Sequence, residues 1–243
     1  MAKTQIWAHR GEHHAHVENT LAAFAAAFAQ GADGIELDVH LSQDRQLVVH
    51  HDEQVVASNG TRYPIFQTPA VVLRSVALCS NAAGDSQERI PLLEEVLALA
   101  KSEQRMVNIE IKNGPIVYPG IEEAVIAAVR DAAMEEQVLL SSFNHATLQR
   151  IRQLTPTLAT GILYAEGLVD PWRYAHYLQA GAIHPLFYNI TPQLVEHCHQ
   201  AQIRVHPWTV NGTEDLEKCM VAGCDAVITD EIDRALQIRD QRL

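Results

Sequence analysis

Residues 33–39 (DGIELDV) alternate, with Ile35, Leu37 and Val39 on one face and Glu36 and Asp38 on the other. A period of two predicts a strand with two unlike faces. Residues 5–8 (QIWA) and 46–50 (QLVVH) are further short apolar runs, read as strands. Between the first two strands, Leu21, Phe24 and Phe28 recur at i, i+3 and i+7. That spacing predicts a helix over about 20–30, with Asn19 or Thr20 as its cap and Gly31 as its stop. Residues 39–45 are too few for the crossover of about a dozen residues that a parallel pair needs. Segments 33–39 and 46–50 therefore read as a hairpin turning near Gln43, Asp44 and Arg45. A turn centred between Asp44 and Arg45 sets Asp38 opposite His51.

Residues 53–90 break the pattern with SNG, GTRYP, QTP and NAAGDSQ, all turn-forming material. They read as a small insertion with one short helix near 69–77. Beyond them helix and strand alternate. Helices are expected at 91–103, 119–133, 145–154, 170–180, 191–201, 213–223 and about 231–240. Strands are expected at 106–111, 138–143, 158–163, 182–185, 203–208 and 225–229. Setting aside the second hairpin arm, this makes about eight β-α repeats. The expected architecture is an α/β (βα)8 TIM barrel, one domain over 1–243 with the insertion at 53–90 inside it. No G-x-G-x-x-G follows the first strand, which weakens a dinucleotide-binding alternative.

Barrel active sites lie at the C-terminal ends of the strands. Those ends hold His9 and Arg10, Glu36 and Asp38, His51, Glu110 and Lys112, Ser142 and Phe143, Tyr164, His184, Trp208 and Asn211, and Asp230. Glu36, Asp38 and Glu110 would repel one another inside a barrel unless paired or metal-bound. Three oxygen donors suit a hard divalent cation, Mg²⁺ or Ca²⁺. The plainer reading is that Arg10 and Lys112 merely neutralise them. His9 and His51 titrate near neutrality and make a candidate acid-base pair. Arg10 and Lys112 beside an acidic metal site point to a phosphate-bearing substrate. Trp208 reads equally as pocket wall or barrel packing. His184, Asn211 and Asp230 read as supporting groups or local caps. His13, His14 and His16 read as solvated loop residues, with a second metal as the alternative.

The net charge of −12 argues against nucleic acid, which calls for a basic face, and offers no polybasic element for membranes. The 47% hydrophobic content is enough for a sizeable core. Cys79, Cys198, Cys219 and Cys224 form no C-x-x-C pair and read as reduced buried thiols. No signal pattern opens the chain, and no apolar run reaches about 18 residues. A cytoplasmic protein without a membrane anchor is expected, with the choice between monomer and homo-oligomer open.

HRG…ENT, E-x-D-V, HHD, N-I-E-I-K, S-S-F, W-T-V-N and the closing I-T-D together resemble the glycerophosphodiester phosphodiesterases, from Ala8 to Asp230. The resemblance implies a metal-dependent enzyme that hydrolyses glycerophosphodiesters to glycerol 3-phosphate and an alcohol. By motif, His9 and His51 would be general acid and base. Glu36, Asp38 and Glu110 would hold the metal, and Arg10 and Lys112 the phosphate. The family mechanism implies attack by the glycerol 2-hydroxyl on phosphorus, then opening of the cyclic phosphate by water. Val17, the run VVASNG and the residues after ITD depart from the family pattern, away from the metal and acid-base positions. Two alternatives remain beside this reading. A phosphodiesterase for lysophospholipids or other diesters would need an apolar rim that the polar insertion does not suggest. A non-catalytic glycerol-phosphate-binding barrel would have lost one of these residues, and none is lost.

Overall fold

Eight parallel strands form the frame: β1 (Gln5–His9), β2 (Gly34–Leu41), β8 (Met106–Ile111), β9 (Val138–Ser142), β10 (Ala159–Tyr164), β11 (Ala182–Pro185), β12 (Arg204–Val205) and β13 (Ala226–Thr229). The intervening numbers belong to short strands around the insertion: β3 (Leu47–Val49), β4 (Gln54–Val56), β5 (Arg62–Pro64), β6 (Cys79–Ser80) and β7 (Gly84–Asp85). The computed structural model describes residues 3–57, 59–80, 84–85 and 88–241. The side chain of Cys79 and part of the polar run NAAGDSQ lie outside these described residues.

The ladder runs β12-β11-β10-β9-β8-β2-β1-β13. The ring is then closed by single bonds, Asp225 N–H to the Val205 carbonyl (3.0 Å) and Ile228 N–H to the Pro207 carbonyl (2.9 Å). Pro207 has no N–H to return, so β12 stops at Val205 although apolar residues continue toward Trp208. The expected (βα)8 barrel is the observed one. A helix follows each strand of the ring: α1 (Leu21–Gln30), α3 (Leu93–Ser102), α4 (Ile121–Asp131), α5 (His145–Leu154), α6 (Pro171–Leu178), α7 (Pro192–Gln200), α8 (Thr213–Ala222) and α9 (Ile232–Asp240), with α2 (Ala70–Leu73) in the insertion. Thr20 caps α1 by accepting the Ala23 N–H, and Gly31 ends it in the left-handed conformation at φ 102°.

Strand alternation sorts the interior. Ile6, Ala8, Ile35, Leu37, Val107 and Ile109 face the helices and join their apolar sides in the main core. The opposite faces point into the barrel, where Trp7, Leu139, Ala182, Ala226 and Ile228 fill the lower layer. Register places Glu36 beside His9 and Asn108, and Asp38 beside Glu110. The polar residues thus stack above an apolar floor, toward the strands' C-terminal ends.

Two expectations need correction. The hairpin is off by one residue: Val39 pairs with Val49 and Leu41 with Leu47, so His50, not His51, lies opposite Asp38. The turn is centred on Asp44. Ser42 N–H bonds the Gln46 carbonyl across a three-residue loop, and Arg45 takes the left-handed conformation at φ 62°. A loop with an odd number of residues moves the register by one against an even one. The insertion also holds more than a short helix. β4 pairs antiparallel with β5 and β6 with β7, over a small cluster that includes Val48, Val55, Ile65, Leu73 and Ile90. Its outer face is not uniformly polar, since Val56, Phe66, Val71 and Val72 are exposed.

Candidate active site

Glu36, Asp38 and Glu110 bring one oxygen each to within 4.8 Å of the others. All three are buried, at 4%, 1% and 9% exposure. Burial, then repulsion from Asp38 and Glu110, pushes the Glu36 carboxyl well above its ordinary pKa. Burial and Asp38 push Glu110 up to about 7, partly offset by Lys112. Burial would raise Asp38 too, but Lys112, Arg10 and His51 outweigh it and hold Asp38 below the usual carboxylate range. Asn19 fastens this residue, donating to Oδ2 at 2.9 Å and accepting the Asp38 N–H at 3.3 Å.

The cations do not balance the trio. Lys112 Nζ lies 3.0 Å from Glu110 and 3.5 Å from Asp38. Arg10 is divided between Asp38 (3.4 Å) and Glu18 (3.1 Å). Three carboxylates therefore face one lysine and part of one arginine. An all-oxygen, under-neutralised nest of this kind fits a hard divalent cation. Arg10 itself sits in the left-handed region at φ 58°, followed by Gly11 at φ 86°. A Cβ on Gly11 would meet the Ala23 backbone at 2.7 Å, so the turn that aims Arg10 requires glycine.

Each candidate histidine is held through Nδ1 by an aspartate. His9 Nδ1 bonds Asp230 Oδ1 at 2.7 Å, and His51 Nδ1 bonds Asp52 Oδ1 at 2.7 Å. An imidazole that donates from Nδ1 keeps Nε2 for proton exchange. His51 has left the ladder, yet it stays close enough to help depress the Asp38 pKa. Its carbonyl is tied down by His40, whose Nε2 bonds it at 3.1 Å and whose Nδ1 bonds the Tyr118 hydroxyl at 2.9 Å. Burial lowers the His40 pKa to about 4, so it serves as a neutral strut.

Other expected positions divide. Trp208 lies on the mouth, its indole N–H donating to the His184 carbonyl at 2.8 Å and its ring meeting Phe143 edge-on at 5.3 Å. His184, expected at a strand end, is instead sealed in the barrel against His206 at 3.0 Å, and burial drops its pKa to about 3. Asn211 and Asp230 are supporting groups, with Asn211 donating to Asp230 Oδ2 at 2.6 Å. His13 is not a solvated loop residue: its Nε2 bonds Asp230 Oδ1 at 2.8 Å, and that bond raises its pKa against the effect of burial. His16 bonds Glu88 at 3.1 Å, while His14 is largely exposed. Residue-level reasoning missed Asn19, Asp52 and His40. Asp52 had a signal in its place directly after His51; Asn19 read only as a cap.

Comparison with known proteins identifies the family. The glycerophosphoryl diester phosphodiesterase family model matches residues 9–234. A glycerophosphodiester phosphodiesterase of Caldanaerobacter subterraneus subsp. tengcongensis is 44% identical over 230 residues, covering 94% of this chain and 95% of its own. One from Bacillus altitudinis is 36% identical, covering 98% and 99%. The solved structure of an Oleispira antarctica phosphodiesterase in complex with the product sn-glycerol-3-phosphate superposes with a TM-score of 0.83 at 27% identity, covering 98% of this chain and 97% of that one. With the family model spanning nearly the whole barrel, the chain belongs to the glycerophosphoryl diester phosphodiesterase family of enzymes.

Proposed function

We propose that this barrel hydrolyses glycerophosphodiesters to sn-glycerol 3-phosphate and an alcohol, with a divalent metal and two histidines. The observation that carries the reading is the pairing of two aspartate-held imidazoles with a buried three-carboxylate nest. Glu36, Asp38 and Glu110 are the metal ligands in this reading, for Mg²⁺ or Ca²⁺. Held there, a divalent ion would supply Lewis-acid charge to a phosphate diester. Arg10 and Lys112 hold the phosphate: the guanidinium matches two phosphate oxygens at once, and the ammonium acts as a point charge. Of His9 and His51, one takes the proton of the attacking hydroxyl and the other protonates the leaving alcohol. Asp230 and Asp52 keep the protons on Nδ1, so that Nε2 of each ring does this work. Trp208 and Phe143 form an apolar wall on the other side of the mouth.

The named product in the Oleispira relative supports the substrate class. Among the described residues no helix is long and apolar enough to cross a membrane. Cys198, Cys219 and Cys224 are free and buried, which suits a reducing cytoplasm. One observation favours a second substrate: the exposed Val56, Phe66, Val71 and Val72 of the insertion and Phe143 at the mouth offer apolar surface to a lysophospholipid chain.

The test is hydrolysis of glycerophosphocholine, glycerophosphoethanolamine, lysophosphatidylcholine and bis-p-nitrophenyl phosphate, with and without EDTA. Activity should vanish on chelation and return with Mg²⁺ or Ca²⁺. Undiminished turnover after thorough chelation would remove the metal assignment. His9→Ala and His51→Ala should each lower turnover by at least about 10²; near-parental rates would remove them from acid-base roles.

A further inference from the structure

A second cluster of metal-type donors lies beside the carboxylate trio, at the junction of the β1–α1 loop and the end of β13. His9, His13 and Asp230 each bring one donor atom to within 4.8 Å of the others. Both imidazoles converge on the same atom, Asp230 Oδ1, at 2.7 and 2.8 Å. The carboxylate cannot swing freely. Asn211 donates to Oδ2 at 2.6 Å and accepts the Asp230 N–H at 3.0 Å, which aims Oδ1 at the two rings. The loop that carries His13 is pinned as well. Glu12 N–H bonds the Ala23 carbonyl, and the Glu12 carboxylate accepts the N–H groups of His14 and Ala15 at 3.1 and 3.3 Å.

Two imidazole nitrogens and one carboxylate oxygen form a donor set unlike the trio. It suits a borderline transition ion rather than a hard cation. Tetrahedral zinc with bonds of about 2.0–2.1 Å needs donors about 3.3 Å apart. The two nitrogens would each move about half an ångström from Asp230 Oδ1 to admit the ion between them. Asn211 already provides the outer hydrogen bond that orients a ligating carboxylate.

We propose that His9, His13 and Asp230 form an inhibitory site for Zn²⁺ or a similar borderline divalent ion, with water as the fourth ligand. Ligation at His9 Nδ1 moves the neutral ring's one proton from Nδ1 to Nε2; an imidazolium would release its Nδ1 proton to water. That ring can no longer accept a proton, so His9 is withdrawn from acid-base exchange. The inhibitory consequence rests on the reading of His9 given above; the binding does not.

Titration calorimetry of ZnCl₂ into the full chain, with excess Mg²⁺ to fill the trio, tests the binding without substrate. Co²⁺ in place of Zn²⁺ reports four-coordinate geometry by its visible absorption. One ion per chain is expected. His13→Gln should weaken binding at least about 10-fold and remove the Co²⁺ band, while His14→Gln should change neither. Measured against its own Mg²⁺-supported rate, His13→Gln should lose Zn²⁺ sensitivity by the same factor. Equal Zn²⁺ affinity in the parent and His13→Gln overturns the site. Binding that depends on His13 without any inhibition leaves the site standing and overturns the acid-base role of His9.

Discussion

Glu110→Gln measures the electrostatic tension in the carboxylate trio. In chelator, burial and the neighbouring Asp38 lift the Glu110 pKa from 4.5 to about 7. Between those values the folded chain holds a proton that the unfolded chain releases. Since the unfolded state binds fewer protons there, this group makes stability fall as pH rises from about 4.5 to about 7. The gap corresponds to about 3 kcal/mol, or on the order of 6–12 °C in melting temperature for a chain of this size. Four histidines oppose the trend. Burial lowers the pKa of His40 to about 4 and of His184 to about 3, holds His206 well below the ordinary value, and lowers His50 as well. Their unfolded forms bind more protons, so they make stability rise toward pH ~6.5. The informative quantity is therefore the difference between Glu110→Gln and the parent, in which the histidine contribution cancels. Thermal and urea unfolding in EDTA at pH 5, 6, 7 and 8 would measure it. The variant should gain about 2.5 kcal/mol on the parent between pH 5 and pH 8. Mg²⁺ or Ca²⁺ at pH 8 should stabilise the parent more than the variant. A difference that stays flat with pH, or that runs the other way, refutes the reasoning.

Asp230→Asn keeps the shape of the His9 support but removes its charge. It should lower kcat by about 10² or more with little change in KM; a change in KM alone would make Asp230 a binding residue. Trp208→Ala should raise KM about tenfold with a smaller effect on kcat, and an unchanged KM across the four substrates would return Trp208 to plain packing. Gly161→Ala places a Cβ against the His184 ring, which is sealed in the barrel and bonded to His206. It should destabilise the chain by about 1–3 kcal/mol in urea unfolding, and a neutral result would show that the buried histidine pair has room to shift.

Local sequence pattern sets the elements and the faces they present. β8, β11 and α5 span the expected residues, Met106–Ile111, Ala182–Pro185 and His145–Leu154. Because side chains on a strand alternate with a period of two, Glu36 and Asp38 had to share one face whatever lay around them. That local rule also put Glu110 on the same-facing side of the next strand, β8, with Lys112 just past its end. Pairing at a distance was another matter. Whether His50 or His51 faces Asp38 depends on the left-handed Arg45 and a turn centred on Asp44, a choice of one residue that hydrophobic pattern does not encode. Asp230 meets His9 across 221 positions of chain because β13 closes the ring against β1. The same closure turned His13 from a loop histidine into a partner of that aspartate, while His184 on β11 meets His206 just past the neighbouring β12. Strand faces follow from local geometry, but the partners across the barrel follow from its register and closure, which only the tertiary structure decides.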